Sequence, residues 1–193
     1  IGAYSQSLAL MQRVGLDLDQ ALLSLPLALP YPDGSGLQMP AWAARWPAPF
    51  DALAAIARAR GWSWGERLAL VRASLGWQRS GFACTPSLTV AQLCAGLPAR
   101  VMNGLIEPLC VSALNLPGAQ ASAQVFLNVM RDALFGVGHA GLRASNLLLP
   151  RTDLSALMPE AAAQWLRTHH PGTARLRTGE RVLGLRPQGK AWQ

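Results

Sequence analysis

Apolar residues recur at helical spacing along most of the chain. The clearest case is residues 121–135, where apolar side chains repeat at i, i+4 and i+8 and form one continuous face. Similar patterns predict helices over residues 4–14, 49–60, 63–75 and 159–170. Another helix is predicted to begin at Thr89, where Gln92 three residues later completes a capping box. Pro108 interrupts the apolar run 101–111, which predicts a kink or a break there.

Patterns typical of strands are few. Residues 25–40 place a Pro-Asp-Gly turn at 32–34 between two apolar arms, which predicts a small hairpin. Residues 147–150 form another apolar run typical of a strand, and residues 173–177 and 181–185 are predicted to be two short strands joined by Gly179. The sequence therefore predicts a mainly α protein with a small β portion.

The composition and charge of the chain suggest the kind of partner that it binds. Hydrophobic residues make up 51% of the chain and charged residues 14%, against about 25% charged residues in an average soluble domain. The formal net charge of +7 comes almost wholly from arginine, since Lys190 is the sole lysine. A positive surface favours anionic partners such as a membrane surface or a phosphate group. The arginines are scattered and lack interleaved aromatic residues, so we expect no nucleic-acid partner.

Most familiar catalytic and metal-binding motifs are missing from the sequence. The three cysteines have no CxxC spacing, which argues against a disulfide framework and a zinc site and favours a reducing, cytoplasmic location. No serine lies in a GxSxG motif. The letters GxGxxG occur at residues 136–141, but they follow a predicted helix and not a strand, so we interpret them as a chance match. We expect no metal site.

Two acidic residues lie in otherwise apolar surroundings. Glu107 is within an apolar run, and Asp132 is at the polar edge of the amphipathic face. Desolvation favours the neutral form of a carboxyl group, so either residue is a candidate proton donor. The alternative is that each is on a solvated helix face or pairs with an arginine. Similarly, five tryptophans between residues 42 and 77 either line an apolar groove or fill a helical core.

Three segments carry a resemblance to a known family. They are GAYSQSLALMQRVG at the start, TVAQLCAGLPARVMNGLIEPLCVSALNLPGAQASAQVFLNVMRDALFG in the middle, and NLLLPRTDLSALMPEAAAQWL towards the end. These segments resemble the squalene-associated FAD-dependent desaturases, which include the hydroxysqualene dehydroxylases and belong to the phytoene-desaturase and amine-oxidase superfamily. The resemblance extends over essentially the whole chain.

The resemblance implies a helical substrate-binding domain inserted into a split FAD-binding α/β domain. Residues 1–20 would leave the FAD-binding domain, residues 21–146 would form the substrate-binding domain, and residues 147–193 would return to the FAD-binding domain as a helix and a β-hairpin. We therefore expect that this chain is an internal fragment of a larger enzyme and that it is inactive alone. The resemblance also implies a location in the cytoplasm, peripheral at the inner face of the membrane.

The resemblance implies roles for individual residues. Gly2, Ala3 and Tyr4 would pass the flavin ring, and Val182 would meet the adenine through its backbone. Arg151 is in the segment that returns to the cofactor domain, but Arg151 and Thr152 stand where the family has glycines. A tunnel for an apolar C30 isoprenoid would be walled by a set of substrate-binding residues: Trp42, Leu109, Asn115, Phe126 and Met130.

Two functions from different classes follow. The first is an FAD-dependent oxidoreductase that reduces hydroxysqualene to squalene or desaturates a squalene- or phytoene-like substrate. The second is a non-catalytic helical module that binds lipid or a membrane surface. A homodimer formed through apolar surface is a further expectation that the sequence leaves open.

Glu107 is the candidate acid that would help a hydroxyl group leave while reduced flavin delivers a hydride to an allylic carbon. We expect Glu107→Gln in the full-length enzyme to lower turnover at least about tenfold, the usual contribution of general acid catalysis. Steady-state turnover of hydroxysqualene measures this effect. Unchanged turnover would exclude Glu107 as the acid.

Overall fold

A computed structural model describes residues 1–40, 42–43, 46, 50–189 and 191–192. The described chain is mainly helical with a small antiparallel β portion, which confirms the predicted class. The helices are α1 Ser5–Arg13, α2 Leu18–Ala21, α3 Phe50–Ala57, α4 Trp64–Arg79, α5 Val90–Leu93, α6 Ala99–Val101, α7 Glu107–Leu114, α8 Ala123–Leu134, α9 Leu154–Leu157 and α10 Pro159–His169. The strands are β1 Leu22–Leu25, β2 Ala28–Pro30, β3 Gly36–Gln38, β4 Leu147–Pro150, β5 Pro187–Gln188 and β6 Ala191–Trp192. None of the helices in the described part of the chain has the length and apolarity that crossing a membrane would require.

Side-chain caps fix where the central helices begin. The Ser63 hydroxyl accepts the Glu66 N–H at the start of α4, and the Glu66 carboxylate accepts the Ser63 N–H in return. Thr89 and Gln92 form the same reciprocal pair at α5, which confirms the capping box predicted from the sequence. These bonds satisfy backbone donors that the first turn of a helix otherwise leaves unpaired.

The helix does not break at Pro108, but a π-helical turn interrupts its α-helical pattern just before this residue. Residues Met102–Ile106 form a π-helical turn, and α7 follows directly with Pro108 in its first turn. Pro108 has no N–H to donate to the carbonyl four residues before it, which is that of Gly104. The Gly104 carbonyl within the π-helical turn accepts the Tyr31 hydroxyl, so this turn is tied to the β2–β3 hairpin.

The β structure consists of three two-stranded antiparallel sheets in the described residues. The β2–β3 hairpin is where the sequence predicts it, with Leu29 opposite Leu37. The β1–β4 pair joins distant segments, with Leu23 opposite Leu149.

The strands predicted at residues 173–177 and 181–185 are wrong. Both segments pair with no strand in the described chain, and the hairpin forms instead from β5 and β6. A strand needs a neighbour for its backbone hydrogen bonds and a face to bury. Val182, Leu183 and Leu185 are exposed and have neither.

The main core lies between α3, α4, α7 and α8. Phe126, Leu127 and Ile106 are fully buried there, and the Trp77 ring meets the Phe126 ring edge-on with 6.2 Å between centroids. A smaller core of Leu8, Leu18, Leu22 and Leu157 joins α1, α2, β1 and α9. Segments from both ends of the chain thus pack together beside the main helical core.

The α5 capping box provides a test of the fold. Thr89→Ala removes the acceptor for the Gln92 N–H, so we expect the free energy of unfolding to fall by about 1 kcal/mol. Urea denaturation measures the change. Thr89→Ser should restore most of the loss, and Ser87→Ala, at an exposed position before the helix, should leave stability unchanged. Equal losses for Thr89→Ala and Ser87→Ala would contradict the capping role.

Candidate functional site

An apolar cavity of about 290 Å³ lies between the β2–β3 hairpin and helices α3, α4, α7 and α8. Leucine, isoleucine and methionine side chains from each of these elements form most of its wall. The cavity exists because several positions that face it carry small side chains, which leave space between the helices. These small residues are Ala52, Ala55, Ser74, Ser112, Ala113 and Ala133.

Among the residues that the structure describes, one charged side chain lines this cavity. Asp51 is in the first turn of α3 and is 1% exposed. Its Oδ2 accepts a hydrogen bond from Nη2 of Arg143 at 2.5 Å, and its Oδ1 accepts the Ala52 N–H at 2.7 Å. A carboxylate buried this deeply requires such a partner, because an uncompensated buried charge costs several kcal/mol.

Arg143 is held in place by contacts on both sides. Nη2 of Arg143 also donates to the Trp46 carbonyl oxygen at 2.5 Å. On the backbone side, the Gly2 N–H donates to the Asn146 carbonyl at 3.0 Å. A Cβ atom at Gly2 would lie 1.8 Å from the Arg143 carbonyl oxygen, so only glycine allows the N-terminal segment to pack here.

Three of the residues predicted to contact substrate or cofactor line the cavity: Tyr4, Leu109 and Met130. Phe126 is fully buried behind the wall, against Trp77, which does line the cavity. Trp42 is more than half exposed and packs edge-on against Trp46. Asn115 is exposed and ends α7 in a left-handed conformation with a φ of 54°.

The two predicted catalytic acids are elsewhere. Both oxygens of the Glu107 carboxylate lie 3.1 Å from the Gly118 N–H, a contact that ties the loop after α7 to the start of that helix. Asp132 is exposed and accepts the Nε–H of Arg131 at 2.8 Å, which matches the arginine pairing considered as the alternative. Neither residue lines the apolar cavity, so the catalytic role of each stays a prediction.

The residues expected to contact FAD do not form a nucleotide pocket within the described chain. The Gly2 amide is used by Asn146, and Ala3 is half-buried beside it. Arg151 is exposed, and its backbone N–H donates to the Ala21 carbonyl at 3.0 Å. Val182 is 75% exposed, in a segment without regular secondary structure. A glycine-rich turn between a strand and a helix, which would bind the pyrophosphate, is not formed by the described residues.

The described residues offer neither a cluster of metal ligands nor a reactive thiol at Cys94. No group of three or more His, Cys, Asp or Glu side chains is placed to hold a metal ion there. Burial, together with a smaller effect of neighbouring Cys110, raises the pKa of Cys94 to about 12. Because the thiolate is the reactive form, Cys94 is inert near neutral pH.

Asp51 and Arg143 were missed by sequence reasoning. In the sequence, Asp51 resembles any acidic residue placed near a helix N-terminus, where acids are favourable. Arg143 is one of many scattered arginines. The one available signal was that Asp51 is the only charged residue of α3, a segment that is otherwise apolar.

The ion pair can be tested by stability measurements. Arg143→Met leaves the Asp51 carboxylate buried without its cation, so we expect the free energy of unfolding to fall by about 3 kcal/mol. Replacing both residues, as in Asp51→Leu with Arg143→Met, should recover most of that loss because no buried charge remains. Urea denaturation of the single and double variants measures both effects. If the double variant is less stable than Arg143→Met, the pair does not behave as a desolvated ion pair.

Comparison with known proteins does not assign a family. No protein-family model matches the chain, and no curated protein matches it. The resemblance drawn from the sequence and the activity that it implies therefore enter below as proposals.

Proposed function

We propose that this chain is the helical substrate-binding part of an FAD-dependent oxidoreductase that acts on a C30 isoprenoid. The reaction is either reduction of hydroxysqualene to squalene or desaturation of a squalene- or phytoene-like chain. One observation supports this proposal most strongly. The middle segment that resembles the family supplies part of the wall of an apolar cavity, and this cavity suits a substrate that is almost entirely hydrocarbon.

The cavity is large enough for only part of a C30 substrate. Its volume of about 290 Å³ is at the lower limit of small-molecule pockets, which begin near about 300 Å³. A C30 chain would place one portion between α3, α7 and α8 and extend the remainder beyond the wall. Bound FAD would supply the hydride chemistry, and the residues of this chain would orient the substrate and exclude water.

A second function, a non-catalytic module that binds a membrane surface, has its own support. Trp42, Trp46 and Phe50 are each between 45% and 56% exposed and lie close together in sequence just before and at the start of α3. Exposed aromatic side chains combined with a net charge of +7 suit the interface of an anionic membrane. This surface is compatible with either function, since an enzyme with a membrane-dissolved substrate also needs access to the bilayer.

Purification of the protein encoded by the complete gene separates the two functions. We expect bound flavin, with absorbance near about 450 nm, and turnover of hydroxysqualene or squalene, because flavin enzymes carry their hydride chemistry on the cofactor. Product analysis distinguishes reduction from desaturation. A colourless protein that sediments with anionic vesicles and converts neither substrate would reject the enzyme and favour the membrane module.

A further inference from the structure

We propose that Asp51, held by Arg143, is a positioning residue that accepts a hydrogen bond from the hydroxyl group of an otherwise apolar ligand in the cavity. This inference deepens the proposed function, on which it rests, by naming the group that recognises the polar end of the substrate. It assigns the cavity to alcohols in preference to hydrocarbons and to fatty acids.

The geometry leaves Asp51 with acceptor capacity towards the cavity. A carboxylate offers about four lone-pair sites. In the part of the chain that the structure describes, Oδ2 accepts from Arg143 and Oδ1 accepts from the Ala52 N–H. Asp51 also lines the cavity, so a ligand hydroxyl inside it meets a charged acceptor in a water-poor environment. Hydrogen bonds to charged groups in such surroundings are among the stronger ones.

The same geometry disfavours an anionic ligand. Asp51 lines the cavity, as does Ile1, whose amino terminus has a pKa that burial lowers, which disfavours its charged form. Among the described residues of the cavity wall Arg143 is absent, and its Nη2 is directed to Asp51 and the Trp46 carbonyl. A fatty-acid carboxylate would therefore approach a like charge. A neutral hydroxyl group avoids that repulsion and supplies the donor that a carboxylate needs.

A structural role in joining the two cores does not by itself require charged residues. Replacing a buried ion pair with apolar residues of similar volume is often neutral or stabilising. The surroundings of Asp51 in the cavity are almost wholly apolar, and an apolar side chain at this position would pack there without the need for Arg143. An ion pair in this place is therefore better explained by recognition of a ligand.

Binding of matched probes to the 193-residue chain tests the proposal. The probes are farnesol, the hydrocarbon farnesene and the carboxylate of farnesoic acid, with binding followed by tryptophan fluorescence because Trp77 lines the cavity. We expect farnesol to bind about tenfold more tightly than farnesene, the usual effect of one hydrogen bond to a charged group. Farnesoic acid should bind more weakly than farnesol.

The paired replacement of Asp51→Leu with Arg143→Met removes the acceptor without leaving a buried charge. In this variant farnesol and farnesene should bind with equal affinity, and the affinity for farnesene should stay within about twofold of the parent value. Asp19→Asn is the matched control, since Asp19 is exposed in the first turn of α2 and should leave the preference for farnesol intact. Ala133→Phe, which fills the cavity from α8, should weaken binding of every probe.

Three outcomes would overturn the proposal: equal binding of farnesol and farnesene by the parent chain, a preference for farnesol that survives the paired replacement, or binding that Ala133→Phe does not change.

Failure of the proposed enzyme function would be a separate result, which the same variants distinguish from failure of recognition by Asp51. If the complete protein has no flavin and no turnover but its 193-residue segment still prefers farnesol, the proposed enzyme function is wrong and the role of Asp51 in recognition is supported. If the complete protein is a flavoprotein and the paired replacement changes neither its KM nor its kcat, the enzyme function is supported and the role of Asp51 in recognition is wrong.

Discussion

The ion pair between Asp51 and Arg143 is the interaction on which the candidate site depends. It joins the first turn of α3, in the main core, to the loop before β4, which belongs with the smaller core formed by both ends of the chain. Arg143 reaches Asp51 because its backbone packs on Gly2 and because Asn146 is fixed by Ser24 of β1, whose hydroxyl accepts the Asn146 side-chain amide at 2.7 Å. Loss of this contact would expose a buried charge and loosen the connection between the two cores at once.

The helices around the cavity were predictable, and the cavity was not. Residues 121–135 form an amphipathic helix because their apolar period matches the turn of a helix, and Thr89 begins a helix because its capping box is local in sequence. Such features need only a few neighbouring residues. The burial of Asp51 depends instead on Arg143, which is 92 positions away in the sequence, and no local sequence pattern indicates that contact.

The same distinction explains the errors in the β portion. The β2–β3 hairpin has its turn signal inside a short segment, so the sequence predicts it. Residues 181–185 form a short apolar run typical of a strand, yet a strand forms only where a partner edge is available. Val182 and Leu183 have no such edge in the described chain, and propensity alone does not order them into a sheet. The predicted site residues divide in a similar way: Leu109 and Met130, on predicted helix faces, do line the cavity, whereas the expected acids Glu107 and Asp132 face other contacts.

The size of the cavity bears on why the fold retains it. Protein interiors are close-packed, and cavities opened by core truncation cost about 24 cal/mol per Å³. The cavity of about 290 Å³ in this chain is partly open to solvent, so a cost that holds for closed and empty cavities does not apply to it in full. Larger side chains at Ala55, Ser74 or Ala133 would reduce the void, yet each of these positions carries a small residue. Space left by small side chains, beside a buried carboxylate that is paired with an arginine, is more consistent with a site shaped for a ligand than with a packing defect.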